Sequence, residues 1–185
     1  GRKVRNLIST DEYQAIFPTV QLAADSKSAG RWNTNSGGEY YACGIGSSIA
    51  GRGADLLLVD DPHSEQDVIN GNFGVFEKAY EWFTYGARTR LMPGGRVAII
   101  QTRWHMDDLT GRVTKDMGQN EKADQYEVVE FPAILDIINK ETEKSEQKPL
   151  WPEFFNLDAL LRTKASMPVF QWNAQYQQEP TAEEA

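Results

Sequence analysis

The sequence predicts an α/β fold of three layers, with a mostly parallel sheet between helices, and three observations predict it. Two short apolar runs, Leu56-Leu57-Leu58-Val59 and Val97-Ala98-Ile99-Ile100, each end in polar residues. Unbroken apolar runs of this length are the mark of strands buried on both faces, as in parallel sheets covered by helices. Between and after them lie segments with helical spacing, and strands that alternate with helices make an α/β domain.

The elements follow in order. Residues 4–17 read as a helix end, a break at the polar step Ser9-Thr10-Asp11-Glu12 that can open a capping box, and a short helix stopped by Pro18. A β-hairpin is expected between Trp32 and Ile45, turning at Gly37-Gly38. The strand over residues 54–59 delivers Asp60, Asp61 and Pro62. Residues 64–91 carry helical spacing, with Val75, Ala79, Trp82, Phe83 and Leu91 as core candidates, and Pro93-Gly94-Gly95 as the stop. A second strand spans residues 96–102, a helix opens at Asp107 and runs toward Met117, and residues 126–131 are a third strand. The charged run 139–148 reads as a solvated loop or exposed helix end. Amphipathic stretches at 158–165 and 169–178 complete the chain, and an acidic tail, 181–185, reads as the start of a linker.

Composition narrows the function. With 185 residues, 40% of them hydrophobic and 25% charged, the chain suffices for one real core, so one domain over residues 1–180 is the default. A net charge of -8 argues against a surface built wholly for phosphate contacts. One cysteine, Cys43, and two histidines, His63 and His105, give neither an internal disulfide nor a structural zinc site, and no apolar run is long enough to span a bilayer. A reducing cytoplasm fits best. Gly1 in place of an initiator Met suggests a piece of something longer.

Chemistry concentrates at the strand ends, because open α/β sheets bind ligands outside the carboxyl ends of their strands. Asp60 projects there, where a carboxylate can hold Mg²⁺ through its waters while the ion grips nucleotide phosphates. Asp61 beside it can orient or deprotonate an attacking water. The competing reading is that the same Asp-Asp-Pro simply caps the following helix. Gln101, Thr102 and Arg103 end the second strand, and Thr102 could touch a γ-phosphate or the water. Asp107 and Asp108 are placed to cap the next helix, while His63 and His105 read as hydrogen-bonded packing residues. The glycine-rich loop from Gly44 to Gly53 lacks the Gly-Lys-Ser/Thr ending of a phosphate cradle, and Gly-x-x-x-x-Gly-Lys-Ser/Thr occurs nowhere in the chain. Arg52, held on that loop, could stabilise transition-state charge on a phosphate or simply form a surface salt bridge.

Taken together, several blocks resemble the large terminase subunits of tailed bacteriophages and prophages. These are Gly51-Arg52-Gly53-Ala54-Asp55, Leu57-Leu58-Val59-Asp60-Asp61-Pro62-His63, Gln101-Thr102-Arg103-Trp104-His105-Met106-Asp107-Asp108-Leu109, Leu150-Trp151-Pro152-Glu153 and Gln175-Tyr176-Gln177-Gln178-Glu179-Pro180-Thr181. The resemblance covers nearly the whole chain. It implies an additional-strand, RecA-like P-loop NTPase core with a Mg²⁺ and ATP site, followed by a metal-dependent nuclease domain. It also implies a homo-oligomeric ring on the portal protein that moves double-stranded viral DNA into a procapsid in the host bacterial cytoplasm, with the small terminase subunit as a further partner. Asp60 matches the Walker B aspartate that holds Mg²⁺, Asp61 the catalytic acid, and Gln101-Thr102-Arg103 the coupling motif. Arg52 matches an arginine that acts across subunits in some relatives.

The family's Walker A loop is expected upstream of Gly1 and its nuclease acids downstream of Ala185. The segment alone is therefore expected to bind ATP poorly and to hydrolyse it negligibly. A helicase-like NTPase fragment, a metal-dependent nuclease using Asp60, Asp61, Asp107 and Asp108, and a non-catalytic docking or scaffold domain are the competing readings.

Overall fold

The computed structural model describes residues 1–26, 28–138, 143 and 145–181. The chain divides into two compact units, Gly1–Ser47 and Ser48–Ala185. The acidic tail beyond Thr181 and most of residues 139–144 lie outside the described residues.

In the first unit, α1 (Arg2–Ile8) and α2 (Asp11–Ile16) are separated by the expected polar break. Only half of the capping box forms: the Thr10 side chain accepts the Tyr13 N–H, and position 13 has no carboxylate to reach back. The predicted hairpin is present as β1 (Arg31–Asn33) and β2 (Glu39–Tyr41), antiparallel, with Gly37 at φ +81° in the turn. Trp32 is its buried anchor, stacked on Tyr40 across the strands at 4.7 Å between ring centroids.

The second unit is a mixed α/β body around a small parallel sheet. β3 (Ala54–Asp60) pairs in parallel with β4 (Leu91–Ile100). Between them run α3 (Glu65–Ile69), α4 (Gly74–Glu81), a π-helical turn at Trp82–Ala87 and a 3-10 turn at Arg88–Arg90. Then come α5 (Leu109–Gln119), the antiparallel pair β5 (Ile134–Ile138) and β6 (Ser145–Pro149), α6 (Leu157–Ala165) and α7 (Val169–Gln175).

Strand alternation sends Leu57 and Val59 of β3, with Val97 and Ile99 of β4, to one face, where they meet Phe83, Ala87, Leu109 and Val113. The opposite face is bare, so the expectation of burial on both faces is corrected. Leu56 is 62% exposed, Leu58 54% and Ile100 57%. The cause is topological: the π-helical turn and α5 both pack on the same side of the two strands.

Four further expectations are corrected. The helical segment after Ser64 is not continuous but breaks at Asn70-Gly71, where Gly71 takes a positive φ, and its core contact is Phe76 rather than Val75. Pro93-Gly94-Gly95 does not end a helix; it is an irregular bulge inside β4, where pairing jumps from Ala54↔Leu91 to Leu56↔Arg96. Residues 126–131 form no strand, since no described partner pairs with them. The charged run holds a strand, β6, from Ser145 onward, where a loop or helix end was expected.

A second cluster of Ile134, Leu160 and Trp172 joins the β5–β6 hairpin to α6 and α7. Two glutamine side chains lock it. The Gln177 amide accepts the Ile134 N–H at 3.0 Å and donates to the Ile134 carbonyl at 2.9 Å, and Gln178 accepts the Phe131 N–H at 2.7 Å. Among the described residues no helix is long and apolar enough to cross a membrane.

Candidate active site at the strand ends

The parallel register sets Asp60 opposite Ile100, so the acidic end of β3 and the polar end of β4 finish side by side. The chain then turns sharply. Asp61 takes a left-handed φ of +43°, a conformation that Asp adopts more readily than most residues. This corner is held at both ends: the Asp61 N–H donates to the Ile100 carbonyl at 2.9 Å, and its carboxylate accepts the Thr102 N–H at 3.2 Å. Asp60, Asp61 and Thr102 are all exposed, presenting two carboxylates and a hydroxyl along one edge.

Behind this edge, Asp108 organises the loop from Gln101 to Asp108. Its carboxylate is fully buried and caps α5 by accepting the Gly111 N–H at 2.9 Å. It also accepts the Trp104 N–H at 3.0 Å and both contacts of the Arg103 Nε, at 2.9 and 3.1 Å. Arg103 is therefore a structural cation, committed to Asp108. Gln101, one residue past β4, keeps both polar atoms of its amide out of solvent without a hydrogen-bond partner among the described residues.

His63 supports the end of this loop from outside, and His105 lies within it. Leu109 donates its N–H to His63 Nε2 at 3.0 Å, which requires the neutral imidazole with its proton on Nδ1. Burial lowers the His63 pKa, and the nearby carboxylates of Asp108 and Asp67 only partly oppose that. His63 meets the edge of Phe76, and His105 stacks on the same ring at 5.3 Å while its Nδ1 accepts the Asp107 N–H. Both are packing residues, as expected. Asp108, rather than Asp107, is the helix cap.

Arg52 is the predicted site residue that the fold keeps apart. It precedes β3, whose 7 residues at about 3.3 Å each place it roughly 23 Å from the Asp61 corner, beyond the reach of an arginine side chain. The sequence patterns missed the buried Gln101 amide and the glutamine locks at Gln177 and Gln178. Glutamine carries no charge or periodicity that marks it as buried and paired.

Chemically, the edge offers hard oxygen donors at the carboxyl end of a parallel sheet. Among the described residues no three His, Cys, Asp or Glu side chains gather as a self-sufficient metal site. Two carboxylates suit a magnesium ion that takes one or two protein oxygens and completes its shell with water and phosphate. Comparison of the chain with family models, and with curated proteins, finds no match to either.

Proposed function

We propose that this chain is part of the ATP-hydrolysing motor of a tailed-phage terminase large subunit, which drives double-stranded viral DNA into the procapsid. The observation that carries this reading is the link between the two strand ends, the Asp61 carboxylate on the Thr102 N–H. It joins the acid of one motif to the backbone of the other, so that a change at either strand end is felt at both. The motif resemblance assigns nucleotide chemistry to these same residues.

On this reading the sheet is of the three-layer, additional-strand P-loop type, and a further layer covers the face of Leu56, Leu58 and Ile100. Asp60 holds Mg²⁺ through water, and the ion when bound neutralises charge on the phosphates. Asp61, oriented by Thr102, takes the proton from the attacking water. The Thr102 hydroxyl, exposed beside it, reads the state of the terminal phosphate. Arg52, at the far end of β3, supplies its charge to the site of a neighbouring subunit in a ring. Portal protein and small terminase subunit remain the expected partners, and a nuclease domain the expected companion.

The test is a protein that joins this segment to a phosphate-cradling loop. Asp61→Asn lowers turnover by roughly 10² to 10⁴ while sparing Mg·ATP binding, because a neutral amide cannot take a proton. Asp60→Ala loses Mg·ATP binding itself. Equal loss of binding in both variants overturns the assignment of the two acids.

A further inference from the structure

The two segments that leave the strand ends are fastened to the same place. Between Asp60 and Val75 the one buried residue is His63, and the segment from Gln101 onward has its first buried residue at Asp108. Both reach the first turn of α5. His63 Nε2 accepts the N–H of Leu109, the first residue of that helix, and the Asp108 carboxylate accepts the N–H of Gly111. A helix start leaves its first amides without partners, and here side chains from two different strand exits share them. The turn is therefore a common post. His63 ties the exit of β3 to it, and Asp108 ties the exit of β4 through Arg103 and the Trp104 N–H.

Filling space does not account for a histidine here. With Nε2 accepting, the proton sits on Nδ1, which is buried and meets no acceptor among the described residues. An unmet buried donor is costly, and an apolar side chain against the Phe76 ring would avoid it. What an apolar side chain cannot do is accept the Leu109 N–H. The ring thus stands for one bond, and that bond lies two residues from the left-handed corner. Asp61 holds φ +43° directly before a proline, whose ring restricts the residue preceding it. Such a corner persists only where its surroundings hold it from both sides. Upstream it is held by the Ile100 carbonyl and the Thr102 N–H. Downstream, α3 buries no residue and its Ser64–Asp67 capping box closes on itself, so α3 fastens nothing. With Pro62 as a stiff link, His63 is the downstream hold.

We propose that His63 is a positioning residue for Asp61: by fastening the exit of β3 to the first turn of α5, it fixes where the Asp61 carboxylate stands relative to Thr102. The role rests on the reading of Asp61 as the proton acceptor given above. His63 acts through Asp61 and not on the substrate. Its effect belongs in kcat rather than KM, because a misplaced acid weakens proton transfer in the transition state while the Asp60 contact to Mg·ATP stays as it is.

The Thr102 amide proton, read by NMR in the whole chain without nucleotide, reports the contact to Asp61 directly. Asp61→Asn marks where that resonance lies once the charged acceptor is gone. His63→Leu, which has no acceptor, is expected to move it toward that position. His63→Gln, whose amide oxygen can take the Leu109 N–H, is expected to leave it near its native place. Leu160→Ala weakens the separate cluster under the β5–β6 hairpin and is the control for lost stability, expected to leave the resonance unmoved. An unmoved resonance in His63→Leu, or an equal shift in Leu160→Ala, overturns the proposal. If His63→Leu does not fold, Phe76→Leu, which takes away the ring that His63 rests on, is read by the same criteria. In the protein that carries a phosphate-cradling loop, His63→Leu is expected to lower kcat by roughly ten- to a hundredfold with KM for Mg·ATP within about twofold, and His63→Gln to recover most of the loss. A raised KM at unchanged kcat, or no recovery in His63→Gln, overturns it as well. Absence of turnover in the unsubstituted protein, with the Thr102 resonance still shifted by His63→Leu, removes the nucleotide chemistry and leaves the tie standing. Full turnover in His63→Leu removes the positioning role and leaves the chemistry standing.

Discussion

Removing the Asp108 carboxylate tests how the loop behind the strand ends is held. The side chain is fully buried and receives hydrogen bonds from Gly111, Trp104 and the Arg103 guanidinium. Asp108→Ala deletes the α5 cap, worth about 0.5–2 kcal/mol. It also strands the Arg103 guanidinium, whose side chain is only 16% exposed, and breaking a buried pair costs about 3–5 kcal/mol. Arg103 can recover part of that by turning to water, so the expected total is about 3–5 kcal/mol, a large share of the 5–15 kcal/mol of a typical domain. Asp108→Asn keeps a capping oxygen and is expected to cost about 1–2 kcal/mol, the loss of a charge-assisted contact. Urea denaturation with an unchanged slope reads both values from the midpoint shift. A loss below about 1 kcal/mol for Asp108→Ala, or equal losses for the two variants, would refute the reasoning.

Three other outcomes are expected. Burial holds the His63 pKa below 6.5, so the unfolded chain binds that proton more readily; stability is full above about pH 6.5 and falls as pH drops through the lowered folded value. His63→Gln is expected to flatten that decline, and identical pH slopes in urea melts of the two proteins would contradict it. Gly111→Ala is expected to destabilise by roughly 1–3 kcal/mol although alanine favours helix by about 1 kcal/mol, because a Cβ would lie 1.9 Å from the Met106 carbonyl oxygen; a raised thermal midpoint would show that the loop yields freely. The hydrogen bond from the Tyr80 hydroxyl to Asp116 pushes its pKa up to about 12, and Asp116→Asn is expected to return it toward the ordinary value near 10, read by ultraviolet titration.

Much of the sheet was legible because its signal is local. The run from Leu56 to Val59 carries strand and polarity change within a few residues, and the acids at its end had only one edge to occupy. Asp107 and Asp108 announced a helix cap for the same reason, though only the packing of Arg103 decides between them. Residues 126–131 misled because β-branched Val128 and Val129 describe a strand's side chains, whereas pairing depends on what stands next to it. The burial of Leu56 and Leu58 failed similarly: an apolar run states a demand for cover and not that cover is supplied. Pro93-Gly94-Gly95 reads as a stop in any local window, and only the register with β3 reveals a bulge. The distance of Arg52 from the acids was available from strand length alone, once the strand itself was accepted.

The left-handed corner at Asp61 limits which acids that position can carry. At φ +43° an L residue other than Gly, Asn or Asp bears a cost of about 1–2 kcal/mol, because its Cβ crowds the following carbonyl. Lengthening the carboxylate by one methylene to glutamate therefore disturbs the end of β3 before it changes any proton affinity, and loosens the contact to Thr102 that ties the strands together. Asparagine is the replacement that leaves the corner's shape alone while removing its charge. The backbone sets the short vocabulary of position 61, and any variant outside it reports first on the turn itself.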